Sequence, residues 1–81
     1  MNANDPYEQL GKWAEARFQI DLIVCQAFGK RWAFKWSNTR DIENARRIQL
    51  TAGTGLIVPA SINDEKAEQI QKEAFNYWQK L

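Results

Sequence analysis

Residues 29–36 have the sequence Gly29-Lys30-Arg31-Trp32-Ala33-Phe34-Lys35-Trp36, which places three large aromatic and three basic side chains directly after a glycine. From Arg31 onward the residues alternate with the two-residue period of a β-strand. In such a strand Trp32, Phe34 and Trp36 share one face, and the residues between them share the other. We therefore predict a strand over residues 31–36 whose aromatic side chains pack inward and whose cations face solvent.

The segment before this strand has the pattern of a helix. Asp5 is a good N-cap and Pro6 suits the first helical position, where its missing N–H costs nothing. Gly29 is a suitable residue for ending the helix in a left-handed conformation. Apolar residues recur between them at steps of three and four, namely Tyr7, Leu10, Ala14, Phe18, Leu22, Cys25 and Phe28. The sequence thus predicts a helix over about 6–28.

A strand competes with the second half of this helix. The even positions from Ala14 to Val24 are apolar, and the odd positions are polar except for Ile23. This alternation would end the helix near residue 15, place a strand at about 17–27 and turn at residues 28–30 into the strand described above. We prefer the long helix because no Gly, Pro, Asn or Ser separates the two patterns.

The rest of the chain predicts two more helices and a short strand. Residues 41–52 have the apolar face of a helix, formed by Ile42, Ala45 and Ile48. The glycines of residues 53–55 would end this helix. Residues 56–60 contain a proline, which is typical of an edge strand. Asn63 then caps a helix over 64–80, whose apolar stripe is the most regular in the chain.

We therefore expect a single domain over residues 1–81 with an α+β fold. It would contain three helices (about 6–28, 41–52 and 64–80) and a minor β element made of residues 31–36 and 56–60. If these two strands pair in parallel, the helix between them forms a right-handed βαβ crossover. An all-α fold is the alternative.

The composition argues against several classes of function. The 81 residues include no histidine and one cysteine, so the commonest general base and metal ligand is missing and no internal disulfide can form. The only Gly/Thr-rich loop, residues 51–55, follows a helix pattern instead of a strand, unlike a phosphate-binding loop. The apolar runs are too short to cross a membrane, so we expect a cytoplasmic protein with no membrane span. We also expect no enzymatic activity, no metal and no cofactor.

The charges are distributed unevenly. Residues 30–47 hold six basic and two acidic residues, a net charge of +4, whereas residues 1–29 and 48–81 carry −2 and −1. A basic segment with interleaved aromatics is typical of nucleic-acid binding, in which cations contact phosphates. The candidate contacts for nucleic acid or another anion are Lys30, Arg31, Lys35, Arg40, Arg46 and Arg47.

The aromatic residues suggest a second kind of interaction. Ten aromatic side chains are many for one small core, and Trp13 and Phe75 lie off the apolar stripes of their helices. Exposed aromatic side chains often mark interfaces. We predict a small interaction module that binds a protein partner or forms a homodimer through Trp13, Phe75 and Trp78. The alternative is a nucleic-acid-binding accessory protein that uses residues 30–47.

Overall fold

The structure, a computed structural model, describes residues 5–28, 30–39 and 44–81. It contains two helices and a four-stranded sheet, in chain order α1 (Pro6–Phe18), β1 (Ile23–Phe28), β2 (Arg31–Ser37), β3 (Ala45–Thr51), β4 (Thr54–Pro59) and α2 (Asp64–Gln79). The sheet order is β2-β1-β4-β3, and every neighbouring pair is antiparallel. α1 packs on β1 and β2, and α2 packs on β3 and on α1.

This architecture corrects the predicted one: the arrangement of three helices with a minor β element is wrong, and so is the all-α alternative. The predicted helix over 6–28 ends at Phe18, and the competing strand, predicted at about 17–27, coincides with β1 only from Ile23 onward. Most of the predicted helix over 41–52 is β3, while residues 41–43 lie outside the described residues. The segments predicted at 31–36 and 56–60 are strands, but β1 separates them and no parallel crossover forms. The prediction that the second segment is an edge strand is wrong, because β4 lies between β1 and β3 and Pro59 is its last residue.

The first helix ends where the chain enters a left-handed conformation. Asp5 Oδ1 accepts the N–H of Tyr7 at 2.9 Å and caps the start, as its sequence context predicts. At the other end Gln19 has φ 53° and donates its N–H to the carbonyl of Glu15. Asn38, after β2, then accepts the N–H of Leu22 at 2.8 Å through Oδ1. The end of α1 is therefore fixed by a contact with a residue far along the chain.

The core lies between the helices and one face of the sheet. Val24, Leu56 and Ile48 are paired across three neighbouring strands and are buried. Leu10 of α1 and Ile70 of α2 belong to the same buried cluster. Each such side chain contributes roughly 1.5–3 kcal/mol when it is fully buried.

A bulge in β2 divides its aromatic side chains between the two faces of the sheet. Val24 pairs with Trp36 but Cys25 pairs with Phe34, so Lys35 is the extra residue. Trp36 therefore turns toward the helices, where it packs on Gly11, while Trp32 and Phe34 keep the opposite orientation. The prediction that all three aromatics share one inward-facing side is wrong, because a single extra residue reverses every later side chain in a strand.

The open face of the sheet as candidate functional site

The face of the sheet opposite the helices is here called the open face. Its side chains follow from the strand register and are absent from the buried cluster under the helices. The pairing places Phe34, Cys25, Gly55 and Gln49 in one row across all four strands, and Ile23, Ile57 and Arg47 in the next row. The open face comprises Ile23, Cys25, Ala27, Trp32, Phe34, Arg47, Gln49, Gly55 and Ile57.

Trp32 lies across this face. Its ring extends from β2 over β1 to β4, where a Cβ placed on Gly55 would be only 2.8 Å from Cζ3 of the indole. Gly55 therefore makes room for the ring. The guanidinium carbon of Arg47 lies 4.3 Å from the centroid of Trp32, which is a cation–π contact. The Trp32 ring thus has Gly55 against its edge and the Arg47 guanidinium over its face.

Phe34 is the most exposed large hydrophobic residue in the described part of the chain. Its side chain is 65% exposed, and it has no aromatic partner among the described residues. Since it pairs with Cys25 one row from Trp32, the two rings occupy neighbouring positions on the edge strand. Phe34 therefore offers a free flat surface next to the Trp32–Arg47 pair.

Cys25 lies beneath these aromatic side chains. It is completely buried and pairs with Gly55, the residue that Trp32 covers. Burial raises the pKa of the Cys25 thiol, and the positive charge of Arg47 offsets part of this increase. The thiol is therefore protonated at neutral pH and is a weak nucleophile. Within the described residues no group of three or more His, Cys, Asp or Glu side chains could hold a metal ion.

Among the described residues the strands carry only basic charges, whereas the helices carry both acidic and basic ones. The four strands contain four charged residues, Arg31, Lys35, Arg46 and Arg47, and all are basic. The acidic residues that the structure describes lie on the helices, at the cap of α1 or in the loop after it. A polyanion would therefore meet less repulsion at the sheet than at the helical layer.

The predicted cationic residues do not form one patch. Lys30 and Arg31 are exposed at the β1–β2 turn and have no ion pair among the described residues. Lys35 lies 5.8 Å from the ring of Tyr7 on the helical side. Arg47 reaches the open face, where a shallow depression of about 330 Å³ lies beside it.

Of the other two predicted cations, Arg46 has partners at the start of α2 and Arg40 is not described by the structure. Arg46 donates to the carboxylate of Asp64 at 2.7 Å and to the carbonyl of Ile62 at 3.0 Å, so it connects β3 to the start of α2. Arg40 lies outside the described residues. Arg46 is therefore held in an ion pair, whereas Arg47, its neighbour in sequence, contacts Trp32 and makes no ion pair with the residues that the structure describes.

The aromatic residues predicted to bind a partner lie in the helical layer. Trp13 stacks on Tyr77 with ring centroids 4.5 Å apart, and Trp78 lies 5.2 Å from Tyr7. Both tryptophans are half-buried and hold α1 against α2. Phe75 is 36% exposed on α2. Trp13 and Trp78 are therefore engaged in contacts between the helices, whereas Phe75 is partly open to a partner.

Sequence reasoning missed Trp32, Phe34 and Gly55 as parts of one surface. The alternation of β2 placed the two aromatics together, but it gave no sign of which side the helices cover. The sequence predicts that Gly55 follows the end of a helix, although a glycine inside a strand is also typical of close approach by another group.

Comparisons of the chain with protein-family models, curated proteins and solved structures find no match. None of the helices in the described ranges is long and apolar enough to cross a membrane.

Proposed function

We propose that this protein binds single-stranded nucleic acid through the open face of its sheet. The observation that carries the proposal is the exposed ring of Phe34 beside the Trp32–Arg47 pair, on strands whose charged residues are all basic. Proteins that bind single strands combine aromatic stacking surfaces with cations that follow the phosphates.

The spacing of the two aromatic residues along β2 favours a single strand over a duplex. Trp32 and Phe34 are two residues apart in a strand, which separates their Cα atoms by about 6.6–6.8 Å. Successive nucleotides in one strand of duplex DNA rise about 3.4 Å. Neighbouring bases must therefore separate before each can stack on one ring, and bases within a duplex are not free to do so.

Two exposed phenylalanines on different layers provide a matched test. Binding of a fluorescein-labelled oligothymidylate is measured by anisotropy for the wild type, Phe34→Ala and Phe75→Ala. Loss of one stacked base costs about 1–3 kcal/mol, so Phe34→Ala should weaken binding by about 5- to 150-fold. Phe75→Ala, on α2, should bind within about twofold of the wild type because it leaves the proposed surface intact.

Two further measurements test the proposal: the affinity for a duplex and the dependence of affinity on salt. A duplex of the same length should bind more weakly, and affinity for the single strand should fall as salt rises, with a slope of about 0.7 per phosphate contacted. Equal losses in the two phenylalanine variants, or affinity that does not respond to salt, would count against the open face.

Protein–protein binding, including homodimer formation, is the second candidate. It is favoured by Phe75 and by Leu81, which is 47% exposed after the end of α2. Light scattering after size-exclusion chromatography over a concentration series measures self-association. A dimer that Phe75→Ala dissociates would support this candidate, whereas a monomer at all concentrations would exclude self-association.

A further inference from the structure

We infer that Arg47 covers the stacking surface of Trp32 in the free protein and moves from it to a backbone phosphate when a single strand binds. This inference rests on the proposed function, and it assigns different roles to the two aromatic residues. Phe34 is open from the start, whereas Trp32 becomes available only after Arg47 has moved.

The first step of the argument concerns space. The Arg47 guanidinium lies 4.3 Å from the centroid of Trp32, and the edge of the same ring lies against Gly55. A base that stacks on an aromatic face needs the place that the guanidinium occupies. Arg47 and a base therefore compete for one surface of Trp32.

The second step concerns how firmly Arg47 is held. Arg46 has a carboxylate and a backbone carbonyl as partners, whereas Arg47 is exposed and makes no ion pair with any residue that the structure describes. Its cation–π contact at an exposed site is weaker than a charge-assisted hydrogen bond to phosphate. A phosphate can therefore draw Arg47 away from Trp32.

The third step concerns the ligand. Once Arg47 has moved, Phe34 and Trp32 can each accept one base, and the phosphate between the two nucleotides lies within the positive field of Arg47. The smallest ligand that uses the complete site is therefore a dinucleotide, and a free nucleoside can use only Phe34. Oligothymidylate contains such a step at every position.

Proton NMR reports the position of Arg47 directly. The side-chain protons of Arg47 lie over the Trp32 ring. In the free protein the ring current of the indole should therefore shift the signals of these protons upfield. Trp32→Ala gives the reference positions without that ring. On saturation with oligothymidylate the wild-type signals should move toward this reference, whereas signals that stay upfield at saturation overturn the inference.

Salt dependence provides a second readout that a merely structural role would not change. Arg47→Ala should lower the slope of log affinity against log salt by about 0.7, the value for one phosphate contact. Arg47→Lys should restore the slope, because lysine keeps the charge. Arg17→Ala, which removes a half-exposed cation from α1, is the control and should leave the slope unchanged.

The outcomes separate this inference from the proposed function. If the wild type binds, and Phe34→Ala weakens binding, but Arg47→Ala leaves the slope unchanged, the role of Arg47 is refuted and the function stands. If the wild type does not bind oligothymidylate at low salt, both are refuted.

Discussion

Replacement of Gly11 by alanine should destabilise the protein strongly, although alanine is the better helix former. A Cβ at Gly11 would lie 2.1 Å from Cε3 and 2.4 Å from Cδ2 of Trp36. Non-bonded carbon atoms rest about 3.5–4.0 Å apart, so the indole must retreat by roughly 1.5 Å. Trp36 is partly buried against the core, so this retreat is too large for a small rotation, and its cost approaches the ~3–5 kcal/mol of removing a tryptophan from a core.

The net effect follows from two opposing terms. Alanine stabilises the helix by about 1 kcal/mol relative to glycine, because its helix propensity is higher. The expected net loss is therefore about 2–4 kcal/mol, and at ~4–8 °C per kcal/mol for a domain of this size Tm falls by roughly 10–30 °C. Thermal unfolding followed by far-UV circular dichroism measures the change.

A second glycine is the matched control. Gly53, in the β3–β4 turn, has no atom within 4 Å of an added Cβ, so Gly53→Ala should leave Tm unchanged or raise it slightly. In a Trp36→Leu background Gly11→Ala should cost much less, because the smaller side chain leaves room. A Gly11→Ala protein that melts at or above the wild-type temperature would refute the packing of Trp36 on α1, and with it the bulge at Lys35.

Four further predictions concern the loop after α1, the start of α2 and, in two cases, the buried thiol. Asn38→Ala leaves the N–H of Leu22 without its acceptor and should lower the free energy of unfolding by about 1–3 kcal/mol in urea titrations; an unchanged midpoint would mean that the loop does not depend on this contact. Arg46→Ala should lower the free energy of unfolding by only about 1 kcal/mol, because the carboxylate of its partner Asp64 is almost fully exposed. A much larger loss would show that this ion pair is shielded from solvent. The folded protein holds the proton of Cys25 to higher pH than the unfolded chain does, so relative to Cys25→Ala the wild type should lose stability as pH rises above about 8.5; parallel pH profiles would contradict this. Trp32→Ala should also speed the reaction of Cys25 with a thiol reagent, since it uncovers the sulfur.

In the first half of the chain the sequence fits both a helix and a strand, and periodicity alone does not decide between them. Leu10, Ala14, Phe18 and Leu22 are four residues apart, a spacing that satisfies a helix and also falls on one side of a strand. The helix ends because Gln19 adopts a left-handed conformation that usually favours glycine, and because Asn38 binds the following loop. The second of these causes is a tertiary contact, which local periodicity does not reveal.

The segment that forms β3 shows the same ambiguity over a shorter length. Ala45 and Ile48 fit a helical face, yet Ile48 and Leu50 are buried while the residues beside them are exposed or half-buried. Short apolar patterns do not distinguish the two structures without their neighbours. The helix predicted over 64–80, which is longer and capped by Asn63, corresponds to α2.

Part of the candidate site follows from the sequence, and part depends on the sheet. The alternation predicted that Trp32 and Phe34 lie on the same side of a strand, and charge counting included Arg47 among six candidate cations. The sequence did not reveal that the helices cover the other side or that the bulge at Lys35 removes Trp36 from the group. These two features convert residues predicted to pack inward into an open surface.

The most direct test of the open face is amide chemical-shift mapping of the ¹⁵N-labelled protein with unlabelled oligothymidylate at low salt. The largest shifts should fall on β2, β3 and β4 around Trp32, Phe34 and Arg47, while the amides around Phe75 on α2 should stay unchanged. Shifts centred on the two helices, or no shifts at saturating oligonucleotide, would contradict binding at the open face.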